Sequence, residues 1–154
     1  MERRQRQTAN KAKLIAQMGS SVRDVAVAAT EELWRKGWLA DGSLENAYLS
    51  DANLKGADLR SANLKGAVLR GADLEGADLG HANLQSADLT GAQLSGSRLP
   101  GAQLQQVHLR AEQLAQAQSL SGTTLPDNTR LSRDSWQGEF GEWRRKREMQ
   151  QSDQ

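Results

Sequence analysis

Few side chains in this sequence could do acid–base or metal chemistry. His81 and His108 are the only histidines among 154 residues, and cysteine is absent, which removes disulfides, thiolate metal sites and cysteine nucleophiles together. An isolated imidazole needs a second ligand or a paired acid to act as a metal site or general base. The two histidines are 27 residues apart and cannot serve each other in that way. No serine lies in a Gly-Xaa-Ser-Xaa-Gly elbow, and the glycines keep a five-residue beat without forming a phosphate loop ahead of a helix. The expectation is a non-enzyme with no catalytic residue, cofactor or metal. Two other groups suit recognition. Lys55, Arg60, Lys65 and Arg70 recur at five-residue intervals, and Trp136, Phe140 and Trp143 fall at i, i+4 and i+7, one aromatic stripe if the segment is helical.

Where those residues sit depends on the repeat that carries them. Leu recurs at every fifth position from Leu44 to Leu114, fifteen times without a gap, and Ala stands two residues before it in ten consecutive repeats from Ala47 to Ala92. The residue between is usually Asp or Asn, as at Asn53, Asp58 and Asp73, and Gly or Ser follows two after the Leu, as at Gly56, Ser61 and Gly66. Period five fits neither regular element: on an α-helix successive leucines would step by about 140° around the axis, and on a flat strand they would alternate faces. A chain that turns a corner every five residues points Leu and Ala inward together, because residues two apart share a side of an extended segment. Gly or Ser then supplies the permissive backbone of the corner.

This Ala-Asp/Asn-Leu-Xaa-Gly motif, running over residues 42–120, closely resembles the pentapeptide-repeat family. The resemblance implies an all-β solenoid: a right-handed, quadrilateral β-helix with four pentapeptides per coil and, here, about four coils. Residues twenty apart would then stack like cross-strand neighbours. Glu45 would face Lys65, Lys55 would face Glu75, Asp78 would face Arg98 and Asp88 would face His108, with Asp58 over Asp78 the one clearly like-charged pair. The two histidines, 27 residues apart, fall on different faces and read as solvated groups. The four basic residues would ring one coil, one per face, so they cannot grip one phosphate track together and read as solubilising charge.

The pattern weakens late in the chain. Inward alanine gives way to Ser97, Val107 and Glu112, and the interval from Leu114 to Leu120 is six, which reads as a bulge in the last coil. A carboxylate aimed into an apolar core is costly, so Glu112 is expected to leave the register and sit at the edge, not to serve as a buried catalytic acid.

An open β-helix leaves unpaired strand groups at both ends, and repeat proteins cover them with atypical segments. Residues 1–41 read as an N-terminal helical cap. One helix spans residues 10–18, and a second starts at Ser21 with Asp24 completing a capping box and Gly37 as the stop. Val22, Val25, Ala26, Ala29 and Leu33 make its apolar stripe, and Trp34, Trp38 and Leu39 are placed to plug the solenoid mouth. Residues 18–44 also resemble a helical leader of some bacterial pentapeptide-repeat proteins. Residues 42–125 form the β-helix, and residues 126–154 hold a closing turn, beginning at Leu125-Pro126-Asp127, and a short amphipathic helix over residues 135–150. The aromatic stripe of that helix either folds back over the last coil, the reading favoured here, or forms a dimerisation or partner-docking surface. The basic run Arg144 to Arg147 reads as complementarity to the helix C-terminus. Residues 1–8 and 148–154 are polar enough to be disordered alone.

With 20 basic and 19 acidic side chains, the net charge of +1 gives no whole-chain pull toward nucleic acid or anionic lipid. No long apolar run suggests a membrane span. The expectation is therefore a cytoplasmic, non-catalytic structural or protein-binding scaffold that meets a protein partner, or a second copy of itself as a homodimer, through a solenoid end, with no direct nucleic-acid contact. The family resemblance implies an alternative, since some members mimic a DNA duplex and modulate or protect DNA gyrase. Such mimicry calls for a long acidic solenoid, whereas residues 42–120 carry 6 basic and 8 acidic side chains.

Overall fold

The computed structural model describes residues 2–152. Helices α1 (Glu2–Met18), α2 (Arg23–Arg35), α3 (Ala111–Ala115) and α4 (Trp136–Ser152) flank or interrupt the repeat region. Among the described residues the β-structure of that region consists of single-residue parallel bridges joining positions twenty apart: Tyr48 to Val68, Asn53 to Asp73, Asp58 to Asp78 and Asn63 to Asn83. These four columns make the coil four-sided, as expected. Each side is too short for a strand, and with helices at both ends the chain as a whole is not all-β.

On the side formed by residues 73–77 all five backbone N–H groups are satisfied. Asp73 donates to Ala52 O at 2.9 Å on one neighbouring coil, while Leu74 and Gly76 donate to Gln93 O and Ser95 O, each at 2.9 Å, on the other. Ala77 closes a β-turn onto Leu74 O at 3.0 Å. The remaining donor, Glu75 N–H, points away from both coils and is taken by Asp73 Oδ1 at 3.0 Å, the local side-chain turn that Asp and Asn favour. Gly80, Gln85 and Thr90 repeat this bond onto Asp78, Asn83 and Asp88. The corner residue is left-handed whether or not it is glycine: φ is +65° at Gly76 and +57° at Asn46 and His81. Inside, the Leu and Ala columns are buried and form one continuous core, and Ser97 fits in an Ala position because its hydroxyl bonds Leu94 O at 2.8 Å.

Before the first coil, Ser20 O and Leu39 O accept from Asn53 N–H at 2.8 Å and Asn63 N–H at 2.7 Å, standing where the carbonyls of a preceding coil would be. Leu14, Met18, Ala26, Ala29, Leu33 and Leu39 join the same core. Several details differ from expectation. The first helix starts at Glu2, not near residue 10, with a Glu2–Arg6 ion pair of 3.6 Å along its first turns. The second helix starts at Arg23 with Val22 as an N-cap that makes no side-chain bond, so Ser21 does not cap it. It does stop at Gly37, whose φ of +69° lets Trp38 N–H reach back to Leu33 O at 2.9 Å. Because α2 turns Ala26, Ala29, Thr30 and Leu33 inward, Val22, Val25 and Trp34 are left exposed. Trp38 is half-buried beneath the ammonium groups of Lys11 and Lys36 and packs against the core, of which Met18, Leu33 and Leu39 are fully buried members.

The expected bulge near the end is a helical turn instead. Helix α3 adds the extra residue, and the bridge spacing grows to twenty-one at Arg98–Ser119 and Gln103–Thr124. Glu112 rides on α3 and is exposed, as its carboxylate requires. The Gln113 side chain replaces the missing ladder bond to Ala92 O, donating to it at 2.8 Å, and adds a second bond to Leu89 O at 2.9 Å, which already accepts from Ala92 N–H in the corner turn. The chain then reverses at Leu125, whose N–H bonds Thr129 O at 2.7 Å, and an antiparallel bridge joins Thr124 to Arg130 ahead of α4.

The corner conformation gives a clean test at Gly76, where an added Cβ meets nothing within 4 Å. Gly76→Val should lower stability in urea unfolding by about 1–2 kcal/mol through backbone strain alone. Gly76→Asn should lose less than half of that.

Candidate interaction surfaces

The basic ring exists, but its members are not equivalent. Lys55 Nζ lies 2.7 Å from Glu75 Oε2, a bond that raises the Lys55 pKa. Arg60 grips Asp58 with two bonds, Nε to Oδ1 at 2.8 Å and Nη2 to Oδ2 at 2.6 Å, which lowers the Asp58 pKa and raises that of Arg60. Arg70 stands 3.8 Å from Asp88, whose pKa is lowered chiefly by its bonds to Thr90. No carboxylate among the described residues lies within ion-pair distance of Lys65, because Glu45, its expected partner, accepts from Asn63 Nδ2 at 2.7 Å instead. Of the other stacked pairs, Arg98 meets Asp78 at 3.4 Å, so the like-charged Asp58–Asp78 rung is flanked by an arginine on each aspartate. His108 is bridged to Asp88 in the backbone ladder.

The aromatic stripe faces inward. Phe140 and Trp143 are 7% and 5% exposed and stack with ring centroids 5.5 Å apart, and Trp136 packs partly buried on the same core. Trp143 Nε1 donates to Asp127 Oδ2 at 2.8 Å, tying α4 to the closing turn. Partial burial pushes the Asp127 carboxyl up, but bonds from Thr129 and Trp143 outweigh it and leave its pKa below the ordinary 3.8. His81 and His108 are exposed and far from one another in the coil, and among the described residues no three His, Asp or Glu side chains converge as a metal site would need.

Tyr48, at an outward position of the first repeat by its spacing, is 77% exposed, next to Val68 in its column. One surface feature was missed from the sequence, a cleft of about 750 Å3 where α3 breaks the solenoid, lined by Gly91, His108, Arg110, Glu112, Gln113 and Arg147. Its one signal in the sequence is the six-residue step from Leu114 to Leu120, which marks an irregularity but not its shape.

A family model of pentapeptide repeats matches eight copies over residues 43–80 and 72–110. The chain is similar to a pentapeptide repeat protein of Nostoc Pcc 7120, at 30% identity over 75% of this chain and 92% of that one, with a TM-score of 0.48. It is also similar to HetL, a pentapeptide repeat protein of Nostoc sp. strain PCC 7120 involved in heterocyst differentiation regulation, at 33% identity over 56% of this chain and 42% of that one, with a TM-score of 0.32. A third similar protein, from the thylakoid lumen of Arabidopsis thaliana, is 27% identical over 53% of this chain and 60% of that one, with a TM-score of 0.23. No curated protein matches the chain. No helix among the described residues is long and apolar enough to cross a membrane.

The Trp143–Asp127 bond carries a pH signature. A carboxyl whose folded pKa is depressed adds stability that is complete above its unfolded value and is lost as pH falls through the folded one. Asp127→Ala should therefore cost about 1 kcal/mol at pH 7, a figure kept small by solvent at this turn. The gap from the native chain should narrow as pH is lowered below the ordinary 3.8, read by urea unfolding across pH.

Proposed function

The chain belongs to the pentapeptide-repeat family, and we propose that it works as a non-catalytic structural or protein-binding scaffold. The observation that carries this reading is the alignment of outward side chains in columns, such as Tyr48, Val68, Asp88 and His108, on a backbone pinned coil to coil. A surface already held in place loses little conformational entropy when a partner docks. In this proposal residues 1–41 act as an N-terminal helical cap, residues 42–125 as a right-handed β-helix of about four coils, and residues 126–154 as a closing turn and helix. The bonds from Asn53 to Ser20 and from Asn63 to Leu39 support the first part, and burial of Phe140 and Trp143 supports a covering role for the last.

With the chain's own helices packed at the ends, the sides are where a protein partner would dock. On them, Lys65 and Arg70 are the least neutralised members of the basic ring, while Lys55 and Arg60 are held by Glu75 and Asp58. The mixed-sign pairs along the columns lend no support to mimicry of a DNA duplex toward gyrase.

Affinity capture on the native chain and on a Lys65→Glu, Arg70→Glu variant, each matched for unfolding midpoint, tests the proposal. A protein retained by the native chain and lost from the variant is the expected result. Identical retention by both, together with a monomer in light scattering, would contradict a scaffold working through these sides.

A further inference from the structure

The break at α3 leaves a ladder donor without its acceptor. At the same corner on the two earlier coils, Asp51 N–H donates to Arg70 O at 2.8 Å and Gly71 N–H to Thr90 O at 2.9 Å. The next bond in this series would run from Gly91 N–H to the carbonyl of Arg110. That carbonyl has turned into the first turn of α3, where Gln113 N–H takes it at 3.1 Å. Gly91 therefore lines the cleft with an N–H that has no acceptor among the described residues.

The surroundings of this donor are cationic. Arg110 and Arg147 line the cleft from opposite elements, the last coil and α4, and neither forms an ion pair within 4 Å among the described residues. Arg147 is held with its guanidinium 5.0 Å from the Trp143 ring, which limits the rotamer freedom it would lose on binding. His108 adds a further donor at the wall. One acid, Glu112, stands in the same lining.

We infer that this cleft binds the carboxylate of an acidic peptide, with Gly91 N–H and the Arg110 and Arg147 guanidiniums as donors. Guanidinium groups suit the planar pair of carboxylate oxygens, and the open backbone donor supplies the directional bond that two flexible arginines alone would lack. Glu112 sets the class of anion, because it opposes a dianionic phosphate more strongly than a singly charged carboxylate. The inference deepens the scaffold reading and rests on it, naming one surface and the chemistry of what it would hold.

Fluorescence anisotropy with a labelled hexaglutamate peptide tests it on the full chain. Saturable binding is expected, weakened about tenfold by Arg110→Ala and by Arg147→Ala, the scale of a lost charge-assisted bond. Lys13→Ala, an exposed site on α1 outside the cleft lining, should leave it unchanged. Glu112→Gln should tighten binding several-fold, a gain that a damaged fold cannot produce, and circular dichroism should show equal unfolding for all four variants. Absence of saturable binding would overturn the assignment, as would equal weakening by Lys13→Ala or displacement of the peptide by inorganic phosphate at concentrations where acetate has no effect. If the side-dependent capture proposed above persists while the peptide fails to bind, only the cleft assignment falls.

Discussion

Five backbone N–H groups per side of the solenoid must each find an acceptor, and the fold depends on how the fifth is satisfied. Three bond to neighbouring coils and one closes the corner, which any chain of this path would achieve. The fifth points outward, and an Asp or Asn two residues earlier reaches forward to take it, as Asp73 does for Glu75. The residue between Ala and Leu is thus neither a charge for recognition nor a solubilising choice alone. It completes the backbone, so that a core made only of Ala and Leu can be surrounded by a wall of satisfied peptide groups. Where another residue stands in that place, as Val68, Gln93 or Gln103 does, no such bond forms to the following amide.

The same constraint shapes both ends. A coil with no coil before it would expose donors, and the leader answers by placing Ser20 O and Leu39 O where carbonyls are required. At the other end, one extra residue is absorbed by α3, and the Gln113 side chain restores the lost bond to Ala92 O while Gly91 N–H is left without an acceptor among the described residues. Regularity and its single interruption therefore have opposite consequences. The regular sides give fixed columns of surface charge, and the interruption brings Gly91, Arg110 and Arg147 to one cleft.

Much of this was legible from spacing. Fifteen leucines at period five exclude helix and strand alike and leave a cornered chain as the geometric answer, and Glu112 at an inward position already signals a departure from register. The stop at Gly37 is readable because a left-handed residue after an apolar stripe has one common use. Other features were hidden for physical reasons. The start of α1 rests on weak local pairs such as Glu2–Arg6, which residue types alone do not separate from disorder. Val22 and Val25 match an apolar stripe by type, yet which arc of α2 meets the coil is decided by Ala26 and Leu33 packing against the first leucines. Glu45 pairs with Asn63 rather than with Lys65, a diagonal choice between side chains that a twenty-residue stack does not resolve.

The scaffold role proposed here would need a rigid wall, and rigidity in this fold is a statement about individual amides. Native-state hydrogen exchange by NMR measures them one at a time. The account places Glu75, Gly80, Gln85 and Thr90 amides, each held by the preceding Asp or Asn, among the slowly exchanging positions. It places Arg70, Ser95 and Gln105, at the same step of the repeat but behind Val68, Gln93 and Gln103, among the fast ones. Protection that follows this division residue by residue is the predicted result. Equal exchange in the two sets would contradict it and would leave the outward Asp and Asn without the structural role on which the rest of the description depends.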